Sequence, residues 1–376
     1  MTPFLKTEVE SAGFGIQEAF PTGLELEINI NDCIRLNLML RCASQVLYSL
    51  LKFTAHNANE LYESVKEYPW ETILPPDGYF SVTSNVLNES INNSMFANLR
   101  VKDAIVDRLR DLRGERPSTG SATDGAVIHL HWKDTEAEIF IDTSGSSLAR
   151  HGYRKLPGRA PMLEALASAT ILATRWDRQS AFINPMCGSG TLAIEAALIA
   201  TNTYPGLFRD NFGFMHILGY DANVYLEERG QLEAMILDEV PGLRIIATDY
   251  SSVAVEAARK NAKAAGVENL IEFQVCDFRE TAIPETGKGI LMINPEYGDR
   301  LGDISVLETT YSEIGDFMKK KCGGYWGYIF TGNLELAKHI GLKAKRRIEF
   351  YTSKIDSRLL EYELYEGTKK IVQDSE

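Results

Sequence analysis

Residues 181–200 read AFINPMCGSGTLAIEAALIA: an apolar run, a turn with two glycines and a second apolar run of helical length. The pattern predicts a buried β-strand, a tight turn and an α-helix. Gly188 and Gly190 allow the backbone to turn sharply and to approach a ligand closely. The helix that begins at Thr191 offers free N–H groups to an anion such as a carboxylate. The spacing fits neither G-x-G-x-x-G nor a P-loop, and a turn that only packs is the simpler alternative.

Two further apolar runs end in an acidic residue. LRIIATD ends at Asp249, whose carboxylate is suited to accept hydrogen bonds from two ribose hydroxyls. LIEFQVCD ends at Asp277, which can accept a hydrogen bond from an exocyclic amine, and Phe278 beyond it can cover a purine ring. Each aspartate has an ordinary structural alternative, a helix N-cap for Asp249 and a turn residue for Asp277.

A fourth apolar run, GILMI, is followed by Asn294-Pro295-Glu296-Tyr297. The side-chain carbonyl of Asn294 and the backbone carbonyl of Pro295 can accept two hydrogen bonds from one planar amine, because the proline ring restrains the backbone. Tyr297 can stack on the base that carries this amine. The alternative is an Asn-Pro turn that merely ends a strand.

Strand-like runs and longer helical runs alternate from about Leu156 onward, which predicts an open, mostly parallel sheet with helices on both faces. Ligands bind at the carboxyl ends of the strands in such sheets, so polar motifs at four successive strand ends support one another.

The first 150 residues read instead as an α+β half with antiparallel strands. The predicted elements there are a strand over 23–30, a helix over 33–51, a helix from Asn93 or Ser94 to Gly114, and strands over 126–132 and 137–144.

The composition of the 376 residues, 44% hydrophobic and 24% charged, is that of a folded protein of two or three domains. The longest apolar runs are far shorter than the ~20 residues that span a bilayer, so no membrane association is expected. Five cysteines without C-x-x-C spacing indicate neither a disulfide framework nor a zinc site, and we expect a cytoplasmic location. The net charge of −13 means that any nucleic-acid site must be a local basic patch.

Three basic patches meet that requirement: one over residues 100–116, one over 150–155 that contains no acidic residue, and one over 343–347 that can also be a charged helix end. Such clusters contact phosphates and position RNA without reading its sequence. A solvated helix face with intrahelical ion pairs is an equally good interpretation of the first patch. The candidate RNA-binding residues are Arg100, Lys102, Arg108, Arg113, Arg150, His151, Arg154 and Lys155.

The four strand-end motifs together resemble those of class I S-adenosylmethionine-dependent methyltransferases that act on exocyclic amines. Longer stretches resemble the bacterial THUMP-domain ribosomal RNA methyltransferases, most closely the 23S rRNA guanine-N2 methyltransferase family. These stretches cover nearly the whole chain and read GFGIQEAFPTGLELE, LYESVKEYPWETILPPDG, RVKDAIVDRLRDLRGERPS, SGSSLARHGYRKLPGRAPMLEALA and NPMCGSGTLAIEAALIATNTYPGLFRDNFGF.

The resemblance implies an α/β Rossmann-like class I methyltransferase domain over residues 156–376. It also implies an N-terminal α+β half, made of a ferredoxin-like piece over 1–54 and a THUMP RNA-binding domain over 55–155. The implied cofactor is S-adenosyl-L-methionine, without a metal. The implied cofactor-binding residues are Asn184, Pro185, Cys187, Gly188, Gly190, Thr191, Asp249, Asp277 and Phe278. The implied catalytic residues are Asn294, Pro295 and Tyr297.

The implied reaction is methylation of the exocyclic N2 amine of a guanine in 23S ribosomal RNA, either free or within a precursor particle. One alternative is adenine-N6 methylation of RNA or DNA. Another is an inactive RNA-binding or assembly protein, because the family usually reads Asn-Pro-Pro-Tyr where this chain has Glu296. Both proposed acceptors of the amine are kept, so we expect activity to be retained.

Overall fold

The computed structural model describes residues 1–88, 91, 93–158, 161–285, 288–297, 304–352 and 355–365. The N-terminal half contains α1 (Thr2–Ser11), β1 (Glu18–Phe20), β2 (Gly23–Glu25), α2 (Asp32–Met39), β3 (Leu47–Thr54), α3 (Ala58–Glu67), β4 (Tyr79–Leu87), α4 (Ser94–Arg113), β5 (Ser118–Gly120), β6 (Ala126–Lys133) and β7 (Glu136–Asp142). The C-terminal half contains α5 (Glu164–Leu172), β8 (Ala181–Pro185), α6 (Thr191–Ala200), α7 (Ala222–Ala234), β9 (Ile245–Asp249), α8 (Ser252–Ala264), β10 (Ile271–Val275), β11 (Gly289–Ile293), α9 (Ile304–Lys321), β12 (Trp326–Thr331), α10 (Leu334–Lys338), β13 (Arg346–Thr352) and β14 (Ile355–Glu363).

The N-terminal half is built on a five-stranded sheet in the order β3-β7-β6-β4-β5. β7 pairs antiparallel with β3 and β6, but β4 pairs parallel with both β5 and β6, so the expectation of a purely antiparallel sheet is wrong. The parallel pairing of β4 with β6 is possible because α4 forms a crossover between them. As predicted, α4 begins after the N-cap Asn93, whose side chain accepts a hydrogen bond from the Met95 N–H, and ends at Gly114.

The predicted helix over 33–51 stops at Met39, and residues 47–54 form strand β3 instead. The apolar run there satisfies its backbone hydrogen bonds by pairing with β7 along the sheet, so tertiary pairing overrides the local helical pattern. The predicted strand over 23–30 is similarly reduced to β2, which pairs only with β1. The expected ferredoxin-like piece thus corresponds to two helices, a short β-ribbon and a strand that belongs to the next sheet.

The C-terminal half carries a seven-stranded sheet in the order β10-β9-β8-β11-β12-β14-β13. Neighbours from β10 to β12 pair in parallel, and β14 runs antiparallel to β12 and β13. This is the predicted open, mostly parallel α/β sheet. Its order reverses between β8 and β11, and a crevice for ligands forms at the carboxyl ends of the strands where such a reversal occurs.

Helix α6 is buried along its whole length, from Thr191 to Ala200. The sequence TLAIEAALIA explains this, because a helix that is apolar all round has no solvent face and must be surrounded by other elements. It packs against α5, α8 and the strands β8 and β9. Its single charged residue, Glu195, is therefore placed in the protein interior and must find partners there.

Candidate active site

The four polar motifs lie side by side at one edge of the seven-stranded sheet. Asp277 follows β10, Asp249 ends β9, Asn184 and Pro185 end β8, and Asn294 follows β11, and these four parallel strands are adjacent in the sheet. The carboxyl ends of adjacent parallel strands open into a common crevice. The structure therefore brings the predicted cofactor residues and the predicted catalytic residues together.

The turn after β8 requires its glycines. Gly188 and Gly190 have φ values of +54° and +85°, and Met186 also adopts a positive φ of +55°. A Cβ on Gly190 would lie 2.8 Å from the Cβ of Ala258 in α8, closer than carbon atoms tolerate. A Cβ on Gly188 would meet no atom within 4 Å, so its backbone borders open space. The turn can thus bring backbone N–H groups close to a ligand.

Cys187 lies within this turn and is buried. Its backbone N–H donates to the carbonyl oxygen of Thr248 at 2.9 Å, which fixes the turn to β9. Burial raises the pKa of the Cys187 thiol well above its usual value, with a smaller contribution from Asp249. A thiol that stays protonated is a poor nucleophile, so Cys187 shapes the turn and is unsuited to covalent catalysis.

Asp249 connects the turn to the start of α8. Its Oδ2 accepts from the N–H of Gly188 at 3.0 Å, and its Oδ1 accepts from the N–H of Ser251 at 2.9 Å. Ser251 is the N-cap residue of α8, with its hydroxyl oxygen accepting from Ala254 N–H, so the N-cap alternative for Asp249 is wrong. Each carboxylate oxygen has a further lone pair, which can accept a hydroxyl donor.

Asp277 makes local contacts that agree with its turn alternative. Its carboxylate accepts from both Nε and Nη2 of Arg279 at 2.8 Å, and also from the Arg279 backbone N–H. These hydrogen bonds hold the pKa of Asp277 below its usual value. Phe278 is buried, and its ring packs edge-on against Phe317 with centroids 5.9 Å apart. The carboxylate remains at the shared strand edge, whereas much of the Phe278 ring is committed to the core.

Two amide oxygens lie unpaired at this edge. Asn184 is 1% exposed, and its Nδ2 donates to the carbonyl oxygen of Met292 at 2.9 Å, which fixes the direction of the amide. The Oδ1 atoms of Asn184 and Asn294 are both buried and accept no hydrogen bond from any described residue. A buried acceptor without a donor costs about 1–3 kcal/mol, so both atoms are suited to receive donors from a ligand.

Tyr297 lies beside this pair and is half-buried. Its ring and the Phe330 ring form a T-shaped pair, with centroids 6.4 Å apart and an interplanar angle of 71°. Burial raises the pKa of the Tyr297 phenol, so the ring is neutral and suited to stacking. Pro295 is buried, whereas the Glu296 side chain that follows it is exposed.

Most candidate RNA-binding residues on α4 have partners within the protein. Arg108 forms a bidentate ion pair with Glu71 at 2.6 and 2.8 Å, and Arg113 donates to the carbonyl oxygen of Leu74 at 2.9 Å. The guanidinium of Arg100 lies 4.6 Å from the centre of the Tyr62 ring. Lys102 lies 3.8 Å from Asp103 and is 26% exposed. Of these contacts, only that of Lys102 lies within α4, so the predicted face of intrahelical ion pairs is not what holds the three arginines; these partners of theirs lie between Tyr62 and Leu74.

The segment over 150–155 alternates between exposed and buried residues. Arg150 and Lys155 are exposed and available to phosphates. His151 is fully buried, and its Nδ1 lies 2.8 Å from Oε1 of Glu195, so the assignment of His151 to RNA contact is wrong. Arg154 is only 12% exposed and bonds inside the C-terminal half. A basic sequence cluster thus divides into a surface part and an interior part.

Asn261 is a residue of this region that the sequence patterns did not identify. It is fully buried in α8, and its side chain bonds both to the segment after Arg154 and to the glycine-containing turn. The available signal was a polar residue on the same helical face as the apolar residues Val255, Ala258 and Ala262. Such a residue is buried only when it has hydrogen-bond partners.

In the part of the chain that the structure describes, no helix is long and apolar enough to cross a membrane. Within the same residues, no group of three or more His, Cys, Asp or Glu side chains could hold a metal ion.

Comparisons with known proteins find a matching family or domain for each half of the chain. Residues 151–361 match the family described as UPF0020, RMKL-like, methyltransferase domain, and residues 55–142 match the THUMP domain. The ribosomal RNA large subunit methyltransferase K/L of Syntrophotalea carbinolica is 36% identical over 374 residues, which cover 97% of this chain and 52% of that protein. The protein of the same name from Psychromonas ingrahamii is 35% identical, with 97% and 49% covered. The chain therefore spans about half the length of the curated relatives it matches.

Two solved structures superpose over almost the whole chain. SMU.472, described as a putative methyltransferase complexed with SAH, is 27% identical with a TM-score of 0.87, covering 98% of this chain and 96% of that one. A predicted N6-adenine-specific DNA methylase from Listeria monocytogenes is 30% identical with a TM-score of 0.86, covering 96% and 93%. The overall fold is therefore shared from the N-terminal helices to the last strands.

Proposed function

This chain belongs to the RMKL-like methyltransferase family and carries a THUMP domain, and we propose that it methylates the N2 amine of a guanine in 23S ribosomal RNA. The cofactor is S-adenosylmethionine. The observation that carries the proposal is the pair of buried, unpaired amide oxygens of Asn184 and Asn294 on adjacent strands. We propose three units over residues 1–54, 55–155 and 156–376, of which the first contributes strand β3 to the five-stranded sheet of the second.

The strand-end crevice fits the cofactor on its own chemistry. The turn at Gly188 borders open space and leads into the N-terminus of α6, which suits the carboxylate of a methionine moiety. Asp249 retains lone pairs for ribose hydroxyls beside that turn. The Oδ1 of Asn184 can accept a further donor, and Asp277 lies one strand beyond Asp249. When bound, S-adenosylmethionine would supply the activated methyl group for transfer.

The chain's own residues prepare the amine for attack. A guanine amine is a weak nucleophile because its lone pair is delocalised into the ring. Asn294 Oδ1 and the Pro295 carbonyl oxygen can accept its two hydrogens, which directs the lone pair at the methyl group. Positioning of this kind contributes several kcal/mol to a rate. The base must leave its stack to reach the crevice, and the half-buried ring of Tyr297 can replace part of the lost stacking.

Three features support RNA as the substrate. The THUMP match covers residues 55–142, the relatives are named for large-subunit ribosomal RNA, and Arg150 and Lys155 are exposed where the two halves join. Basic side chains in such a position contact phosphates and orient the nucleic acid.

The rival reaction is adenine-N6 methylation, because Asn294 and Pro295 suit either exocyclic amine. The name of the Listeria neighbour makes this rival specific. To separate the two, the protein is incubated with labelled S-adenosylmethionine and with 23S rRNA, precursor particles or DNA, and the products are digested and identified as nucleosides by mass spectrometry. N2-methylguanosine from RNA supports the proposal. N6-methyladenosine, or label found only in DNA, would contradict the proposal and support adenine-N6 methylation instead.

An inactive RNA-binding protein is the remaining alternative, since Glu296 replaces the usual proline. Calorimetry with S-adenosylmethionine tests it, because a scaffold does not need the cofactor. Binding together with methyl transfer excludes this alternative, whereas RNA binding without cofactor binding would support it.

A further inference from the structure

The segment that joins the two halves of the chain, here called the linker, includes Arg154 and forms hydrogen bonds with the helix that follows β8. Arg154 donates from Nη2 to the Oγ1 of Thr191 at 3.0 Å, and Thr191 is the first residue of α6. The same Nη2 donates to the carbonyl oxygen of Met162 at 2.5 Å, and Nε lies 3.5 Å from Oε1 of Glu164. One guanidinium therefore joins the linker, the start of α5 and the start of α6.

Asn261 makes a second connection between the same parts. Its Oδ1 accepts from the backbone N–H groups of Lys155 and Leu156, both at 2.9 Å. Its Nδ2 donates to the carbonyl oxygen of Leu156 at 2.9 Å and to that of Ser189 at 3.1 Å. The amide is thus fully used, with its donors and acceptors divided between the linker and the turn. We call Arg154, Asn261 and the Lys155–Leu156 backbone the clasp.

The linker continues along the outside of the turn. A Cβ placed on Gly158 would lie 3.7 Å from the side chain of Ser189, an ordinary van der Waals distance, so the linker passes close to the turn. The turn itself contains left-handed glycine conformations, which cost conformational entropy to fix. Packing and hydrogen bonds from the clasp hold the turn in that conformation before a ligand arrives.

We propose that Arg154 and Asn261 are positioning residues for the cofactor, which act through Thr191 and Ser189 and preorganise the turn at Gly188–Gly190. The inference rests on the proposed function and goes beyond it, because it divides the basic linker between two tasks. Exposed Arg150 and Lys155 face the solvent where RNA phosphates can reach them, and Arg154 faces inward to the cofactor turn. A preorganised site binds more tightly because less ordering is required on binding.

The experiment compares Arg154→Met with Lys155→Met, its neighbour in the chain. Affinities for S-adenosylmethionine and for 23S rRNA, and the salt dependence of the latter, are measured on the full chain by calorimetry and filter binding. Of the two hydrogen bonds that Arg154→Met removes, the one to Thr191 reaches the start of α6, and its loss predicts roughly tenfold weaker cofactor binding with RNA affinity unchanged. Lys155→Met should show the reverse pattern.

Two further readouts separate positioning from a general loss of stability. The KM for S-adenosylmethionine should rise in Arg154→Met while kcat at saturating cofactor is retained, since the Arg does not touch the reacting atoms. Amide hydrogen exchange in the peptide containing Gly188 and Gly190 should accelerate in the cofactor-free variant. Arg154→Lys keeps the charge but loses the forked donor geometry, so it should fold well and show a smaller increase in KM.

The proposal is overturned if Arg154→Met lowers the melting temperature but keeps the parent affinity for the cofactor. It is also overturned if the variant loses RNA affinity as Lys155→Met does. If Arg154→Met fails to fold, Arg154→Lys decides by the same two comparisons. A parent protein that binds no S-adenosylmethionine would instead contradict the proposed function.

Discussion

The Nδ1 atom of His151 lies 2.8 Å from the Oε1 atom of Glu195, and both side chains are completely buried. The Nε2 of the same ring lies 3.0 Å from the carbonyl oxygen of Arg41, and the Ser168 hydroxyl donates to Glu195 Oε2 at 2.6 Å. This network joins α5, α6, the linker and the chain segment after α2. These buried hydrogen bonds connect the N-terminal half to α6, the helix that follows the turn at Gly188–Gly190.

The first prediction concerns acid stability. Burial alone would raise the pKa of Glu195, but His151, Ser168 and Arg41 hold it below the usual 4.5. A carboxyl whose pKa is lowered by folding stabilises the folded state above its unfolded pKa, and this contribution is lost as the pH falls through the folded pKa. We expect Glu195→Gln to destabilise the protein by about 3–5 kcal/mol at pH 7, because one partner of a buried pair is removed.

Urea unfolding at a series of pH values from 7 down to 3 measures this difference. The gap in stability between parent and Glu195→Gln should be constant above pH 4.5 and shrink below it. Glu256→Gln, an exposed carboxyl on α8, is the matched control and should show almost no gap. A gap for Glu195→Gln that does not narrow between pH 4.5 and pH 3 would contradict the lowered pKa of Glu195.

The second prediction concerns the cofactor. Asp249→Ala removes the acceptor proposed for the ribose hydroxyls and also frees the N–H of Gly188. Hydrogen bonds to a charged group contribute about 1.5–3 kcal/mol, so S-adenosylmethionine should bind roughly ten- to a hundredfold more weakly. Calorimetry on the folded variant measures the change, with Glu256→Ala as the control. If the Asp249→Ala variant binds S-adenosylmethionine as tightly as the parent does, Asp249 is not a cofactor-binding residue.

The third prediction concerns RNA. Arg150→Glu combined with Lys155→Glu should weaken RNA binding and flatten its salt dependence by about 0.7–0.9 in log–log slope for each phosphate that the double variant no longer neutralises. S-adenosylmethionine affinity should not change, because neither side chain faces the turn. Lys320 is an exposed lysine on α9, and Lys320→Glu serves as the control because it changes the charge at one site by the same amount. Equal salt slopes in parent and double variant would show that the joint is ordinary solvated surface.

The fourth prediction concerns the chemistry. Asn294→Ala should keep the fold and cofactor affinity but lower kcat about 10²–10³-fold, because the hydrogen bond from the amine strengthens as its nitrogen becomes tetrahedral. Glu296→Pro restores the family pattern and should leave activity present, since position 296 supplies neither acceptor. Single-turnover methylation measures both variants.

Two outcomes of that experiment would contradict the amine-binding model. One is an Asn294→Ala variant as fast as the parent. The other is a parent without activity that becomes active only as Glu296→Pro, which would favour the inactive scaffold. Asn184→Ala provides a contrast, because Asn184 is proposed to bind the cofactor, so its loss should raise the KM for S-adenosylmethionine more than it lowers kcat.

The sequence by itself determined the parallel sheet, the order of its strand-end motifs and the limits of α4. Those features depend on local sequence. An apolar run of five residues, a glycine in a turn, an Asn at the start of a helix and a Gly at its end each affect only the few residues around them. It also located Asp249 and Asn294 correctly at one edge, because parallel strands in an α/β sheet bring their carboxyl ends together whatever the loops contain.

Only the tertiary structure decided which secondary structure an ambiguous apolar run adopts and which basic side chains are buried. Residues 47–54 are apolar enough for a buried helix, and the available edge of β7 makes them a strand. Arg150 and Arg154 have the same charge and lie four residues apart in sequence, yet Arg150 is exposed and Arg154 donates hydrogen bonds to Thr191 and Met162. The physical reason is that burial and pairing of a polar group depend on partners supplied from distant segments, and periodicity within a segment carries no information about those partners.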